Sequence, residues 1–158
     1  MDRLDKKILA VLQANARASL QEIGQAVGLS PSPCWGRIKK MEEAGVIQGY
    51  TIRIDPRTVG LGLTAFILVR TEERVGSGAI GEALARLPEV LERHHVAGED
   101  CYLVKVRVAD TEALSRLLRD KVGRLKGVRN TRSTIVLSTA KEGGDLPLPD
   151  PEEVAHGA

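Results

Sequence analysis

Three features are scarce in this chain of 158 residues: aromatic side chains, cysteines and long apolar runs. Aromatic residues make up 3% of the sequence, so its cores must be built mainly from Leu, Val, Ile and Ala. Two cysteines exclude a disulfide framework and a four-thiolate metal site. No apolar run approaches the roughly 18 residues that cross a bilayer, and the first residues lack the apolar stretch of a signal peptide. We therefore expect a cytoplasmic protein with no membrane partner and no cofactor.

The formal net charge of +2 conceals an uneven distribution along the chain. Residues 1–50 carry seven Lys or Arg against five Asp or Glu, and residues 51–141 carry sixteen against eleven. The last segment, 142–158, holds five acidic residues and no Lys or Arg. The basic part permits a nucleic-acid partner. The acidic, Pro-rich end is predicted to be a disordered tail.

Helical signals follow one another in the first 46 residues. Apolar residues at helical spacing predict a first helix over about 3–14. Ser19 and Glu22 have the spacing of a capping box, which predicts the start of a second helix. Gly28 suits the left-handed position that ends such a helix. Because a short turn then leads into a third helix, residues 1–46 are predicted to be a helix-turn-helix DNA-binding domain.

The third helix is predicted over residues 31–44, with Ser30 as its cap. On a helical wheel, Cys34, Ile38 and Met41 fall on one side and face the other two helices. The opposite side carries cations and a hydroxyl near the helix N-terminus, which suits a major groove and its phosphates. Such a face is also typical of plain solvated surface, and the one tryptophan of the chain fits a packing role equally well. The residues predicted to contact DNA are Ser30, Ser32, Pro33, Trp35, Gly36, Arg37, Lys39 and Lys40.

The second half repeats a strand–helix–strand pattern. Alternation over 46–54 predicts a strand in a linker that spans residues 47–62. Residues 63–141 then predict the order βαββαβ, with strands at 63–71, 90–96, 101–108 and 128–139 and helices at about 80–87 and 111–122. This is the ferredoxin-like split βαβ arrangement, with both helices on one face of an antiparallel sheet. The predicted fold class is therefore α+β, a tri-helical helix-turn-helix domain followed by a ferredoxin-like βαββαβ sandwich domain.

One face of the predicted sheet carries no helix. In strand 101–108, the residues on that face are Cys101, Leu103, Lys105 and Arg107, so the face is half apolar. A sheet with helices on one side needs its other face solvated or covered by a partner. We therefore expect a homodimer, which also supplies two recognition helices for two half-sites of DNA.

Several stretches resemble the Lrp/AsnC (leucine-responsive, feast/famine) family of prokaryotic transcription regulators. They are Leu4-Asp5 followed by Ile8-Leu9, Val27-Gly28-Leu29-Ser30-Pro31-Ser32-Pro33-Cys34, Gly45-Val46-Ile47-Gln48-Gly49-Tyr50, Val96-Ala97-Gly98-Glu99-Asp100-Cys101-Tyr102 and Thr131-Arg132-Ser133-Thr134. The resemblance covers about residues 2–140. It implies a regulator that binds double-stranded DNA as homodimers, which assemble into a higher even-numbered oligomer, most often an octamer.

The resemblance also implies an amino-acid effector that binds between neighbouring dimers. Where many relatives have Asp-Tyr, this chain has Cys101-Tyr102, so one carboxylate suited to the effector's ammonium group is missing. Glu99 or Asp100 can take its place, although a plain hairpin turn explains the stretch equally well. The effector itself is not identified by the sequence. The candidate effector residues are Gly98, Glu99, Asp100, Cys101 and Tyr102, with Thr131, Ser133 and Thr134 from a neighbouring subunit.

An enzyme and a purely structural module are the competing interpretations. Cys34 with His94 or His95 offers a thiol and a base, but the wheel places the thiol in the core of another domain. The sequence has no Gly-x-Ser-x-Gly elbow, metal-ligand spacing or phosphate loop. We therefore predict no enzymatic activity, no catalytic residues and no metal site. The alternative left open is a metabolite-binding or protein-interaction module whose helix-turn-helix is only structural.

Overall fold

The computed structural model describes residues 1–73 and 77–148, which divide into two compact units. The first unit, the head, combines Met1–Arg53 with the segment that begins at Glu142, and the second unit, the body, is Ile54–Lys141. Each unit has its own apolar core. In the described residues, no helix is both long and apolar enough to cross a membrane. Most of the predicted tail, from residue 149 onward, lies outside the described residues.

The head contains the three predicted helices, α1 (Arg3–Ala14), α2 (Leu20–Val27) and α3 (Pro31–Glu43). Their apolar faces meet in one core, so helix formation and core burial support each other. Cys34 is fully buried and packs as a small hydrophobe, as its place on the wheel predicts. The buried core residues are Ile8, Ile23, Val27, Cys34, Ile38 and Met41.

The turn between α2 and α3 follows from local signals and one close contact. The Ser19 hydroxyl accepts from the backbone N–H of Glu22, whose carboxylate accepts from the backbone N–H of Ser19, so the predicted capping box is confirmed. Gly28 ends the helix with a φ of 76°, as predicted. A Cβ at Gly24 would lie 2.4 Å from the carbonyl oxygen of Leu29. Only glycine therefore allows the chain to return this closely onto α2.

The linker differs from the prediction. The structure has no strand over residues 46–54, although apolar and polar residues alternate there. Alternation favours an extended chain, but a strand also needs a paired backbone. Within residues 1–73 and 77–148 no strand pairs with this segment, and Ile52 and Ile54 are left 77% and 60% exposed.

The body is a four-stranded antiparallel sheet with helices on one face. Its elements are β1 (Leu63–Thr71), α4 (Ala79–Ala85), β2 (Val90–His95), β3 (Tyr102–Val108), α5 (Thr111–Arg116) and β4 (Val128–Ile135). The strand order is β2-β3-β1-β4, as expected for a ferredoxin-like fold. One difference concerns α5, which continues as a π-helical turn (Leu117–Lys121) and a 3-10 turn (Val122–Arg124). The last strand, β4, also ends earlier than predicted.

The two faces of the sheet differ in burial. In β1 and β3, alternate residues pack beneath the helices and are fully or nearly fully buried. The residues between them form the open face, where Leu68 lies opposite Leu103 and Phe66 lies opposite Lys105. Phe66 is 37% exposed although it sits near the centre of the sheet. The open face is therefore half apolar, as its sequence predicts.

Candidate DNA interface and effector loop

The outward side of α3 is exposed to solvent. Ser32, Pro33, Lys39 and Lys40 are exposed, and Trp35 keeps 54% of its surface in water. The Lys39 ammonium nitrogen lies 5.2 Å from the centroid of the Trp35 ring, which is a cation–π arrangement. The indole is therefore a half-exposed surface group held beside a cation.

Gly36, in the middle of α3, and the Ser30 side chain, at its start, are not engaged by neighbouring atoms in the described part of the head. A Cβ at Gly36 would meet no atom within 4 Å, so packing inside the head does not require glycine there. Ser30 occupies the N-cap position, but its side chain makes no capping hydrogen bond, which corrects the predicted cap. Of the first three residues of α3, Pro31 and Pro33 carry no backbone N–H, so a phosphate at this helix N-terminus would depend on Ser32 for a backbone donor.

Arg37 has partners that the sequence analysis missed. Its Nη1 lies 2.6 Å from Asp2 Oδ2 and 2.7 Å from Asp5 Oδ1. These two hydrogen bonds raise the pKa of the guanidinium further. The backbone N–H of Asp5, followed by Arg37, lowers the pKa of Asp2. The guanidinium therefore ties α3 to the first turn of α1 and is already paired inside the head.

Asp2 and Asp5 are also held by hydrogen bonds to each other at the start of α1, apart from their contacts with Arg37. Each carboxylate accepts the other's backbone N–H at 2.9 Å, which makes a capping box at the start of α1. The spacing Asp-x-x-Asp ahead of a helix is a signal that could have revealed this box. The pairing with Arg37, which lies 32 residues from Asp5 along the chain, has no local signal.

The loop between β2 and β3 holds the predicted effector residues. Its hairpin is closed by the backbone N–H of Val96, which donates to the carbonyl of Cys101 at 3.0 Å. Gly98 is exposed and has a φ of 127°, which favours glycine. The two acidic residues that follow reach cations of the sheet: Glu99 lies 3.6 Å from Arg70, and Asp100 lies 3.1 Å from Arg132.

The next two residues face different surroundings. The Cys101 sulfur is half-buried, 3.8 Å from the carbonyl oxygen of Thr71. Tyr102 is buried against α4, so closely that a Cβ at Gly81 would lie 2.7 Å from its ring. Its hydroxyl donates to Glu73 at 2.7 Å. In the single chain Tyr102 therefore supports the loop from inside and offers no surface to a ligand.

Glu73 connects this loop to α4, although the sequence analysis did not single it out. Its Oε1 accepts from the backbone N–H of Ile80 at 2.9 Å and from the Ser77 hydroxyl at 3.0 Å. Burial raises the pKa of Glu73, but these hydrogen bonds and that of Tyr102 outweigh it, so the pKa lies below its usual value of 4.5. The carboxylate thus links Tyr102 to the first turn of α4.

The three candidate hydroxyls of β4 do not share one face. Thr131 and Ser133 lie opposite Val69 and Ile67 of β1, on the helix-covered side. Thr134 lies on the open face. Since β4 is an edge strand, all three are near the rim of the sheet. In residues 1–73 and 77–148, no group of three or more His, Cys, Asp or Glu is placed to hold a metal ion.

A tri-helical head with an exposed cationic helix, joined to a ferredoxin-like body, defines a class of helix-turn-helix transcription regulators. The chain belongs to the Lrp/AsnC family of that class. A family model described as the Lrp/AsnC ligand binding domain matches residues 64–146. A second model, described as a winged helix-turn-helix DNA-binding domain, matches residues 1–48. The predicted family, fold class and function as a DNA-binding regulator are confirmed.

Relatives and solved structures match nearly the whole chain. The leucine-responsive regulatory protein of Escherichia coli is 38% identical over an alignment of 152 positions, which covers 92% of this chain and 90% of that protein. A Neisseria meningitidis transcriptional regulator, solved in complex with L-Met, is 36% identical, with a TM-score of 0.88 and coverage of 94% and 97%. The feast or famine regulatory protein of Mycobacterium tuberculosis, complexed with L-methionine, is 36% identical, with a TM-score of 0.85 and coverage of 94% and 99%. A module with a merely structural helix-turn-helix is not favoured.

Proposed function

We propose that α3 is the recognition helix and lies in the major groove of double-stranded DNA. The observation that carries this proposal is the exposed side of α3, where Trp35 and Lys39 stand together beside an unobstructed Gly36. A cation and an indole can contact phosphates and base edges, and a glycine permits close approach of the helix backbone. The proposed contacts are Ser30, Ser32, Pro33, Trp35, Gly36, Lys39 and Lys40. We assign Arg37 a different role, as the residue that positions α3 against α1.

The open face of the body supports a homodimer as the binding unit. Phe66, Leu68 and Leu103 form its apolar part, and in the described chain the helices that flank the sheet cover the opposite side. A second copy of the sheet would remove these side chains from water. Two recognition helices then face two half-sites. Assembly of dimers into an even-numbered oligomer, with the octamer preferred, is proposed from membership of the family.

The loop at Gly98 is proposed as one wall of an amino-acid site between dimers. An amino acid carries an ammonium and a carboxylate, and the loop brings matching charges together. Glu99 and Asp100 can accept from the ammonium, while Arg70 and Arg132 can bind the carboxylate. Methionine, named in two related structures, is the first amino acid to test. Thr131, Ser133 and Thr134 are proposed contacts from the neighbouring subunit, and Cys101 is the side chain that distinguishes this site.

The remaining proposals concern enzymatic activity, cellular location and cofactors. We propose that it has no enzymatic activity, because every predicted contact serves DNA or effector binding. Its place of action is the cytoplasm, where its DNA partner is found. No cofactor is required for either binding function.

Salt-dependent DNA binding tests the main proposal directly. The purified chain should retain a DNA fragment at low salt and release it as salt rises, because phosphate contacts release counterions. Replacing Lys39 and Lys40 together with Ala should weaken binding to all sequences and reduce the salt slope. A folded chain that binds no DNA at any salt concentration would support the structural-module alternative instead.

A further inference from the structure

The segment after the body returns to the head and is recognised there through its backbone. The Gln13 amide oxygen accepts from the N–H of Leu146 at 2.9 Å, and the Gln13 amide nitrogen donates to the carbonyl of the same residue at 3.2 Å. One amide side chain therefore binds both backbone groups of a single residue. This is how a neighbouring strand would bind an extended chain.

A second contact involves the residue just before Leu146. Arg53 Nη2 is 3.1 Å from Asp145 Oδ1. The same guanidinium fills the space beside Gly143, where a Cβ would lie 2.8 Å from Nη2. Arg53 thus contacts both the small residue and the acidic residue of this stretch. We name residues 143–146 the strap.

The strap continues covalently from the end of the body and is held on the head by hydrogen bonds and an ion pair, so it is a second, non-covalent tether besides the linker. The chain leaves the head after Arg53, forms the body, and re-enters the head from Glu142 onward. A domain held by one linker rotates freely about it, whereas a domain held at two points has fewer accessible orientations. For a regulator with two recognition helices, orientation decides which half-site spacings are bound.

We propose that the end of α1 and Arg53 form a docking surface for the C-terminal strap of this chain, and that docking restricts the orientations of the head on DNA. This proposal rests on DNA binding by the head. The contacts are few and exposed, so the docked and released forms exchange, and salt weakens the Arg53–Asp145 contact. The recognised features are the backbone N–H and carbonyl of Leu146, the acidic Asp145 and the small Gly143.

Truncation separates the strap from the acidic end that follows it. A chain that ends after Leu148 keeps the strap and serves as the matched control for a chain that ends after Lys141. Each is measured on DNA fragments with two half-sites whose spacing increases one base pair at a time. We expect the full chain and the control to show the same steep preference for one spacing. The shorter chain should bind unfavourable spacings severalfold better, while its affinity for a single half-site stays unchanged.

Gln13→Ala tests the docking surface from the other side. In the full chain it should flatten the spacing profile as truncation after Lys141 does, and in the truncated chain it should add nothing. Equal spacing profiles for the full chain, the chain that ends after Lys141 and the Gln13→Ala variant of each would overturn the proposal. So would a Gln13→Ala effect of the same size in the truncated chain, or an equal drop in affinity at a single half-site.

A measurement without DNA tests whether the strap docks on the head independently of the proposed DNA binding. The Leu146 amide should be protected from hydrogen exchange in the full chain and lose that protection in Gln13→Ala. Protection in a chain that binds no DNA would refute the DNA-binding proposal, and with it the effect on spacing, while the docking itself would stand. An unprotected Leu146 amide in a chain that binds DNA would overturn the strap alone.

Discussion

Arg37 and Asp5 join α3 to α1, with Nη1 of the arginine 2.7 Å from Oδ1 of the aspartate. Asp2 accepts from the same nitrogen, and both aspartates also cap α1. An exposed cation on a recognition helix would normally be assigned to DNA. The hydrogen bonds of Arg37 go to Asp2 and Asp5 inside the head, so we expect Arg37 to stabilise the head and Lys39 and Lys40 to contact DNA.

The first prediction therefore contrasts two cations of α3. Arg37→Ala should lower the melting temperature, because it removes the tie between α1 and α3, and should leave the salt slope of DNA binding unchanged. Lys40→Ala should keep the melting temperature and reduce the slope by about 0.9 for each phosphate that the lysine neutralises. Thermal unfolding and salt-dependent affinity measure the two effects. If Arg37→Ala has the melting temperature of the wild type but a smaller salt slope of DNA binding, Arg37 contacts DNA after all.

The second prediction concerns the unobstructed glycine of α3. Gly36→Ala meets no atom in the free head and should stabilise the helix by up to about 1 kcal/mol. If the helix backbone approaches DNA at this point, the added methyl group should weaken binding by roughly tenfold, or about 1.4 kcal/mol. Gly24→Ala is the opposite case, since its Cβ would lie 2.4 Å from a carbonyl oxygen and should destabilise the head. Unchanged operator affinity in Gly36→Ala would exclude close approach.

The third prediction follows from the lowered pKa of Glu73. A carboxyl group whose pKa is lower in the folded than in the unfolded chain stabilises the fold above its unfolded value, near 4.5, and loses that contribution as the pH falls through the folded value. Glu73→Gln should therefore reduce the drop in melting temperature between about pH 6 and about pH 3. Glu82→Gln, which changes an exposed partner of Arg86, should not. Identical pH profiles for the wild type and Glu73→Gln would contradict the assignment.

The fourth prediction addresses the open face of the sheet. Phe66→Glu should convert the proposed oligomer to smaller species, because it places a charge in the proposed apolar interface. Leu137→Glu is the matched control, since that side chain is 96% exposed already. Light scattering reports the mass of each. If Phe66→Glu has the same mass as the wild type, the subunit interface does not lie on the open face.

The fifth prediction concerns the effector loop. Cys101→Asp supplies the carboxylate that the family resemblance implies at this position, and it should change which amino acids bind without destroying the proposed site. Gly98→Arg places a long side chain at a φ of 127°, a conformation suited to glycine, and should abolish the effector response while the head stays folded. Calorimetry with a panel of amino acids and light scattering measure both. Equal binding by the wild type and both variants would locate the pocket elsewhere.

Much of the head could be predicted because its signals are local. The capping box at Ser19 and Glu22 and the left-handed Gly28 act over a few residues, so spacing alone shows where α2 begins and ends. The same holds for the apolar face of α3, whose helical period identifies Cys34 as a core residue. The repeated strand–helix–strand pattern likewise specified the order and type of the elements in the body.

What the sequence by itself determined was therefore the set of elements, their inward faces and the family pattern. The tertiary structure decided which side chains meet. It gave Arg37 two aspartates from another helix, joined Tyr102 to Glu73 under α4, and brought Gln13 to Leu146 across 133 residues. It also left residues 46–54 outside any sheet of the described part of the chain, because a strand forms only with a partner backbone. Local propensity acts between neighbours in sequence, whereas these contacts depend on the packing that brings distant segments together.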